Sequence, residues 1–111
     1  MADGMAQTDT LDRLEATVAA RRSADPDSSY VAKLHASGLG KIAQKLGEEA
    51  TETVIAALTE GRTELVGEAA DLIFHLFVLL SARDVRFAEV LAELDRREGV
   101  SGIAEKAARP T

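Results

Sequence analysis

TELVGEAADLIFHLFVLLSA, residues 63–82, is the most apolar part of the chain and carries most of the information about its architecture. Its length and its lack of proline predict one long α-helix. Between Leu72 and Leu80 almost every residue is apolar, so this helix has hardly any polar face. A helix that is apolar all round is usually buried on all sides. We therefore expect residues 63–82 to form the central helix of a helical assembly.

The segments on either side predict further helices separated by turn-forming residues. The composition favours an all-α fold, because 46% of the residues are hydrophobic, only 4% are aromatic and there are two prolines. We predict a four-to-five-helix bundle, with one domain over residues 10–98, a flexible N-terminal tail over residues 1–9 and a C-terminal tail over residues 99–111. The other predicted helices cover about residues 10–22, a short segment capped by Ser29, residues 41–60 and residues 87–97.

The central helix also predicts a second subunit. A chain of 111 residues offers too little protein to surround such a helix completely. We expect another copy of the chain to cover the remaining face, most simply as a tight symmetric homodimer. The alternative is a monomer in which residues 63–82 form the core helix.

Composition narrows the classes of function. The net charge is −6, with 19 acidic against 13 basic residues, so a broad basic surface for nucleic acid is not expected. The chain contains no cysteine, which excludes disulfides and thiolate chemistry. The first ten residues lack the pattern of a signal peptide, and the run from Leu72 to Leu80 is far shorter than the roughly 20 residues that span a bilayer. We expect a soluble cytoplasmic protein that does not bind membranes.

Two groups of carboxylates lie at helical spacing in these segments, Glu48-Glu49-x-x-Glu52 and Glu68-x-x-Asp71. At about 100° per residue, the first group falls within an arc of roughly 100° that also includes two lysines. Glu64, Glu68, Asp71 and His75 fall within roughly 60° on the next helix. The short connection at Gly61 makes the two helices antiparallel neighbours. The acidic stripes are therefore predicted to face each other across a groove.

Several carboxylates in one groove repel one another, and a divalent cation would relieve that repulsion. Mg²⁺ prefers oxygen ligands and leaves positions for water and phosphate, and Mn²⁺ could substitute for it. Lys41 and Lys45 lie on the same arc and are candidate substrate-binding residues for a polyphosphate. The alternative is that both stripes are solvated faces of a helical interaction module. A carboxylate-bridged di-iron site is disfavoured, because no histidine lies three residues after a glutamate.

The residues around these acids resemble the phosphoribosyl-ATP pyrophosphohydrolase family, within the MazG-like superfamily of all-α nucleoside triphosphate pyrophosphohydrolases. The resemblance covers about residues 10–109 and rests on four stretches: SYVAKL at residues 29–34, KLGEEATETV at residues 45–54, GEAADLIFHL at residues 67–76 and SGIAEKA at residues 101–107.

The resemblance implies a MazG-like helical homodimer that hydrolyses 1-(5-phosphoribosyl)-ATP to 1-(5-phosphoribosyl)-AMP and pyrophosphate with Mg²⁺, the second step of histidine biosynthesis. By motif position it implies Glu49, Glu52, Glu68 and Asp71 as metal ligands. It assigns Glu48 more loosely, as a further ligand or as the group that orients the attacking water. Glu48, Glu49 and Glu52 are thus the predicted catalytic residues.

Some assignments stay open at this stage. A house-cleaning hydrolase of free nucleoside triphosphates would carry the same acidic motifs, although the context of residues 67–76 favours phosphoribosyl-ATP. His75 could contact the Asp71 carboxylate or be a hydrogen-bonded histidine in the core or in the dimer interface. Tyr30 could stack on a base or ribose, or only pack. Lys33, Lys106 and Arg109 are further candidate phosphate contacts.

Overall fold

The protein is described here by a computed structural model that covers residues 2–99, with side chains from Thr10 onward. This part of the chain contains five helices and no strand, so the predicted all-α fold is confirmed. The predicted C-terminal tail beyond Gly99, including Lys106 and Arg109, lies outside the described residues. The helices are α1 (Ala2–Arg21), α2 (Tyr30–Ser37), α3 (Leu39–Thr59), α4 (Arg62–Ala82) and α5 (Phe87–Arg97).

Helix α1 begins earlier than the sequence suggested. It starts at Ala2, whereas we placed its start at about residue 10, where Asp9 or Thr10 can cap a helix. Residues 2–9 contain no proline and one glycine, so nothing in them interrupts a helix that continues toward the N-terminus. The side chains of residues 1–9 are outside the description, and the flexibility of this segment stays a prediction.

Helices α3 and α4 form an antiparallel hairpin and make the most extensive contact of any helix pair in the described chain. Glu60 and Gly61 link them. We expected Gly61 to be the C-cap residue of α3, but Glu60 takes that position and Gly61 is the N-cap residue of α4. The backbone N–H of Glu60 closes α3 by donating to the Ala56 carbonyl at 3.0 Å. This tight link brings the acidic segments of α3 and α4 alongside each other.

The hydrophobic core lies toward one end of this hairpin, where α1 and α2 pack against the first half of α3 and the second half of α4. Ser29 fixes the start of α2, because its Oγ accepts the backbone N–H of Ala32 at 3.2 Å. Leu11, Leu14 and Phe74 pack around the core. The buried residues that form this cluster are Val18, Val31, Leu34, Ile42, Phe77 and Val78.

The other half of the hairpin exposes large apolar side chains. Leu58 is 78% exposed, Val66 63% and Val54 56%, which leaves an apolar surface without a partner in one chain. Only 17% of the most apolar window of α4 is buried. By length and hydropathy α4 could also cross a membrane, but one such helix is a weak indication because core helices of soluble proteins meet the same criterion.

Helix α5 is attached mainly through its first residue. The rings of Phe87 and Phe77 pack with their centroids 4.6 Å apart. No residue of α5 is fully buried, and Leu91 and Leu94 are 44% and 55% exposed. The apolar face of α5 is therefore a second surface that one chain leaves uncovered.

Candidate metal centre and active site

Three carboxylates from the two helices of the hairpin converge. Glu49 of α3 and Glu68 and Asp71 of α4 each place one oxygen so that all three oxygens lie within 4.8 Å of one another. Glu68 and Asp71 share a face of α4 because they are three positions apart, and the antiparallel hairpin brings Glu49 opposite them. The structure thus brings together three of the four predicted metal ligands.

The cluster is partly desolvated and lacks a positive partner for two of its oxygens. Glu49 is only 8% exposed. Its Oε2 and the Oε1 of Glu68 are buried and have no hydrogen-bond partner among the described residues. Burying unpaired carboxylate oxygens is unfavourable unless another group compensates them. A divalent cation with oxygen ligands is the kind of group that fits this donor set.

The electrostatics of Glu68 agree with this description. The pKa of its carboxyl is raised, first by desolvation and then by the negative charges of Glu52, Glu49 and Asp71. Glu52 is exposed and lies outside the group of three converging oxygens. Among the neighbouring charges that raise the pKa of Glu68, the charge of Glu52 has the largest effect. Glu52 therefore lies at the border of the cluster.

Glu48 has different neighbours. Its Oε2 accepts a hydrogen bond from Gln44 Nε2 at 2.8 Å, and its Oε1 lies 3.2 Å from Lys45 Nζ. These two hydrogen bonds, that of Gln44 first, lower the pKa of Glu48. Glu48 is therefore an ionised, exposed carboxylate on the α3 side of the groove and not one of the three converging groups.

The two candidate substrate-binding lysines lie on α3, before Glu48 in the sequence. Lys45 is part-buried, and its pKa is raised mainly by Glu48, with smaller contributions from Tyr30 and Glu49. Lys41 is exposed, and its charge also acts on Glu48. Both lysines thus place positive charge on the α3 side of the acidic groove. A phosphate chain lying along α3 would meet this charge next to the carboxylates.

His75 links the cluster to α2 through its neighbours. It is 5% exposed, and its Nδ1 lies 2.8 Å from the backbone carbonyl oxygen of Asp71. Its Nε2 lies 3.1 Å from the hydroxyl of Tyr30. His75 is thus a hydrogen-bonded, buried histidine that touches the backbone of Asp71 and not its carboxylate. Tyr30 also stacks on Phe74, with centroids 6.0 Å apart, and borders an open depression with Lys33.

Sequence reasoning missed Thr53. Its Oγ1 lies 2.8 Å from the backbone oxygen of Glu49 and 3.2 Å from that of Glu68. The available signal was its position four residues after Glu49, where a helical threonine can donate to the carbonyl of residue i−4. The second contact, to α4, could not be read from that spacing.

Comparisons with known proteins agree with the motifs. Residues 11–98 match the family profile described as phosphoribosyl-ATP pyrophosphohydrolase. A phosphoribosyl-ATP pyrophosphatase from Novosphingobium aromaticivorans is 74% identical over 105 residues, which cover 95% of this chain and 98% of the relative. One from Erythrobacter litoralis is 74% identical over 90% of this chain and 96% of its own. A third, from Rhizorhabdus wittichii, is 70% identical over 93% and 97%. The chain belongs to the phosphoribosyl-ATP pyrophosphohydrolase family, within the MazG-like superfamily.

Proposed function

We infer that this protein hydrolyses 1-(5-phosphoribosyl)-ATP to 1-(5-phosphoribosyl)-AMP and pyrophosphate, the second step of histidine biosynthesis. Relatives that are 60–74% identical to this chain are named phosphoribosyl-ATP pyrophosphatase, and the matches cover almost their whole length. The structural observation that carries the inference is the convergence of Glu49, Glu68 and Asp71, because it places unpaired buried carboxylate oxygens at the acidic motif.

We propose Mg²⁺ as the cofactor, with Mn²⁺ able to replace it. Glu49, Glu68 and Asp71 would hold the cation, and Glu52 at the border of the cluster would complete the set. When bound, Mg²⁺ supplies positive charge that neutralises phosphate oxygens and favours attack at phosphorus. The unpaired oxygens of Glu49 and Glu68 support this assignment, since they are the groups that most need a cation.

The other residues of the groove bind and orient the reactants. Lys45, with Lys41 beside it, would bind the triphosphate as point charges. Glu48 would hold Lys45 in place and orient the attacking water by accepting one of its hydrogen bonds, because its lowered pKa keeps it ionised at neutral pH. The water oxygen bonds to the α-phosphorus, the bond from that phosphorus to the α–β bridging oxygen breaks, and pyrophosphate leaves. The proton that the water loses passes to solvent. No covalent enzyme intermediate is required.

We also propose that the active form is a soluble, cytoplasmic homodimer. Val54, Leu58 and Val66 on the hairpin and Leu91 and Leu94 on α5 form exposed apolar surfaces that a second copy would cover. This arrangement would bury the apolar helix α4, whose most apolar window is only 17% buried in one chain.

A pyrophosphate-release assay tests the reaction. The purified protein is incubated with phosphoribosyl-ATP and, separately, with each ordinary nucleoside and deoxynucleoside triphosphate, with and without Mg²⁺. We expect Mg²⁺-dependent release from phosphoribosyl-ATP that greatly exceeds release from the others. Rapid cleavage of deoxynucleoside triphosphates without phosphoribosyl-ATP activity would instead assign the protein to house-cleaning hydrolysis.

Two conservative variants test the site. Glu52→Gln and Asp71→Asn each remove one charge while nearly preserving shape, so we expect turnover to be abolished and the helical circular dichroism spectrum to be retained. Asp27→Asn, on the exposed loop before α2, is a matched control for the loss of one carboxylate. Near-normal turnover in both site variants would overturn the ligand assignment.

A further inference from the structure

The hydroxyl of Thr53 bridges the two helices that carry the carboxylate cluster. Its Oγ1 lies 2.8 Å from the Glu49 backbone oxygen on its own helix and 3.2 Å from the Glu68 backbone oxygen on α4. Within residues 10–99, no other hydrogen bond joins α3 to α4. This hydrogen bond between the helices thus runs from Thr53, one helical turn after Glu49, to the backbone of Glu68.

The other threonines of α3 show the hydrogen bond that a threonine in this helix ordinarily makes. Thr51 Oγ1 donates to the Gly47 carbonyl at 3.1 Å, and Thr59 Oγ1 donates to the Ile55 carbonyl at 2.8 Å. Both bonds stay within α3, as is usual for a threonine in a helix. Thr53 makes the same bond to residue i−4 and in addition reaches the neighbouring helix. Since a hydroxyl has one proton, the carbonyls of Glu49 and Glu68 share it.

This bridge lies where repulsion between carboxylates opposes the close approach of the two helices. Glu49 and Glu68 each carry a buried carboxylate oxygen without a partner, and their charges repel. A hydrogen bond between a part-buried hydroxyl and the two backbones opposes that separation. It fixes the distance between the Cα atoms from which the two carboxylates project, and therefore the spacing of their oxygens.

We propose that Thr53 is a positioning residue that holds the Glu49 and Glu68 backbones at the spacing required to bind a divalent cation. This inference rests on the proposed metal-dependent function of the same cluster. Thr53 does not touch the cation or the substrate and acts only through the two backbones. Loss of a group that orients metal ligands typically weakens metal binding by about 10- to 100-fold.

The test measures Mn²⁺ binding directly, by the electron paramagnetic resonance signal of free Mn²⁺ during titration of the full chain without substrate. Thr53→Val removes the hydroxyl and keeps the branched shape, Thr53→Ser keeps the hydroxyl, and Thr59→Val removes the matched intrahelical bond. We expect Thr53→Val to weaken Mn²⁺ binding about 10-fold, while Thr53→Ser and Thr59→Val stay within about twofold of wild type. If Thr53→Val does not fold, Thr53→Ala replaces it, since alanine also lacks the hydroxyl and favours helix more strongly.

The measurement separates positioning from a loss of stability. All titrations are made well below the unfolding temperature of each variant, where a merely structural defect leaves the affinity of the folded protein unchanged. Equal Mn²⁺ affinity in wild type and Thr53→Val would overturn the proposal, and so would a wild-type chain that does not bind Mn²⁺. A wild type that binds Mn²⁺ without hydrolysing phosphoribosyl-ATP would overturn the proposed function alone, because the Mn²⁺ series would still decide the role of Thr53.

Discussion

The hydroxyl of Tyr30 lies 3.1 Å from Nε2 of His75, and this contact joins the start of α2 to the helix that carries Asp71. His75 Nδ1 faces the backbone carbonyl of Asp71, which can only accept a hydrogen bond. In the neutral imidazole the proton therefore resides on Nδ1, and Nε2 accepts the Tyr30 hydroxyl. The hydrogen bonds of His75 thus fix its tautomer and connect α2 to the backbone of a predicted metal ligand.

Removal of this hydroxyl should destabilise the protein. Tyr30→Phe keeps the stacking on Phe74 but leaves Nε2 of the buried His75 without its partner. We expect the free energy of unfolding, measured by urea denaturation, to fall by about 1–2 kcal/mol. Ser37→Ala, which removes an exposed hydroxyl at the end of the same helix, should have a smaller effect. An unchanged urea midpoint in Tyr30→Phe would mean that water fully replaces the hydroxyl.

Glu68→Gln should have opposite effects with and without metal. Desolvation and the charges of Glu52, Glu49 and Asp71 raise the pKa of Glu68, so its ionised form is unfavourable in the metal-free protein. The variant should therefore melt at a higher temperature than wild type in a chelator. It should also lose the rise in melting temperature that we expect Mg²⁺ to give the wild type.

Glu48→Gln is the matched control for this pair of measurements. Glu48 is hydrogen-bonded to Gln44 and Lys45 and lies outside the three converging carboxylates. We expect this variant to keep the Mg²⁺-dependent rise in melting temperature. A lower melting temperature of Glu68→Gln in chelator would show that repulsion within the cluster is too weak to matter.

Glu15 should contribute a pH-dependent part of the stability. Its Oε2 accepts the backbone N–H of Phe87 at 2.7 Å, and Arg86 also pairs with it. Arg86 and then Phe87 lower the pKa of Glu15 below its ordinary 4.5. The stabilisation is therefore complete above pH 4.5 and is lost as the pH falls through the lower pKa of the folded state.

The corresponding measurement compares Glu15→Gln with wild type by urea denaturation at neutral pH and at pH values below 4.5. We expect a loss of about 1–2 kcal/mol at neutral pH that shrinks toward zero as the pH is lowered. Arg86→Ala should have a clearly smaller effect than Glu15→Gln, because the Arg86 side chain is 74% exposed and exposed ion pairs contribute little. A pH-independent difference would contradict the role of the Glu15 charge.

The exposed apolar hairpin should mediate dimerisation. We expect sedimentation equilibrium to give twice the 11.8 kDa mass of one chain. Leu58→Lys places an unpaired charge in the proposed interface and should weaken the dimer by about 100-fold or more. Thr17→Lys, at an exposed position of α1, makes the same charge change outside the proposed interface. A wild type that sediments as a monomer at micromolar concentration would exclude the proposed interface.

The convergence of Glu49, Glu68 and Asp71 was predictable because it depends on local regularities. The 3.6-residue repeat places Glu68 and Asp71 on one face of α4, and the short link at Gly61 makes α3 its antiparallel neighbour. Glu52 was harder to place. It lies one helical turn from Glu49 and borders the cluster, but none of its oxygens joins the three that converge. The orientation of Glu48 was not predictable, since it depends on Gln44 and Lys45, each of which holds one oxygen of its carboxylate.

Contacts between distant segments could not be predicted from one sequence. Arg86 is an unusual N-cap because its side chain has no acceptor. Glu89 accepts the backbone N–H of Arg86, and Glu15, which is distant in the sequence, accepts that of Phe87. The reach of Thr53 to Glu68 depends on how closely α3 and α4 approach, which the hydrophobic pattern does not specify. The start of α1 was misplaced because a capping residue indicates where a helix can begin and not where it must begin.

The two-residue link between α3 and α4 also has a consequence for the order of folding. Contacts between neighbouring helices close only short loops, so they form early and at low entropic cost. We therefore expect the acidic groups of the hairpin to meet before α1 packs against α4, because that contact joins residues such as Arg22 and Ser81 that are 59 positions apart. At that stage the mutual repulsion of the acidic groups is still unbalanced. A divalent ion present during refolding should bind this early hairpin and accelerate folding, so the cation would act as a folding partner as well as a cofactor.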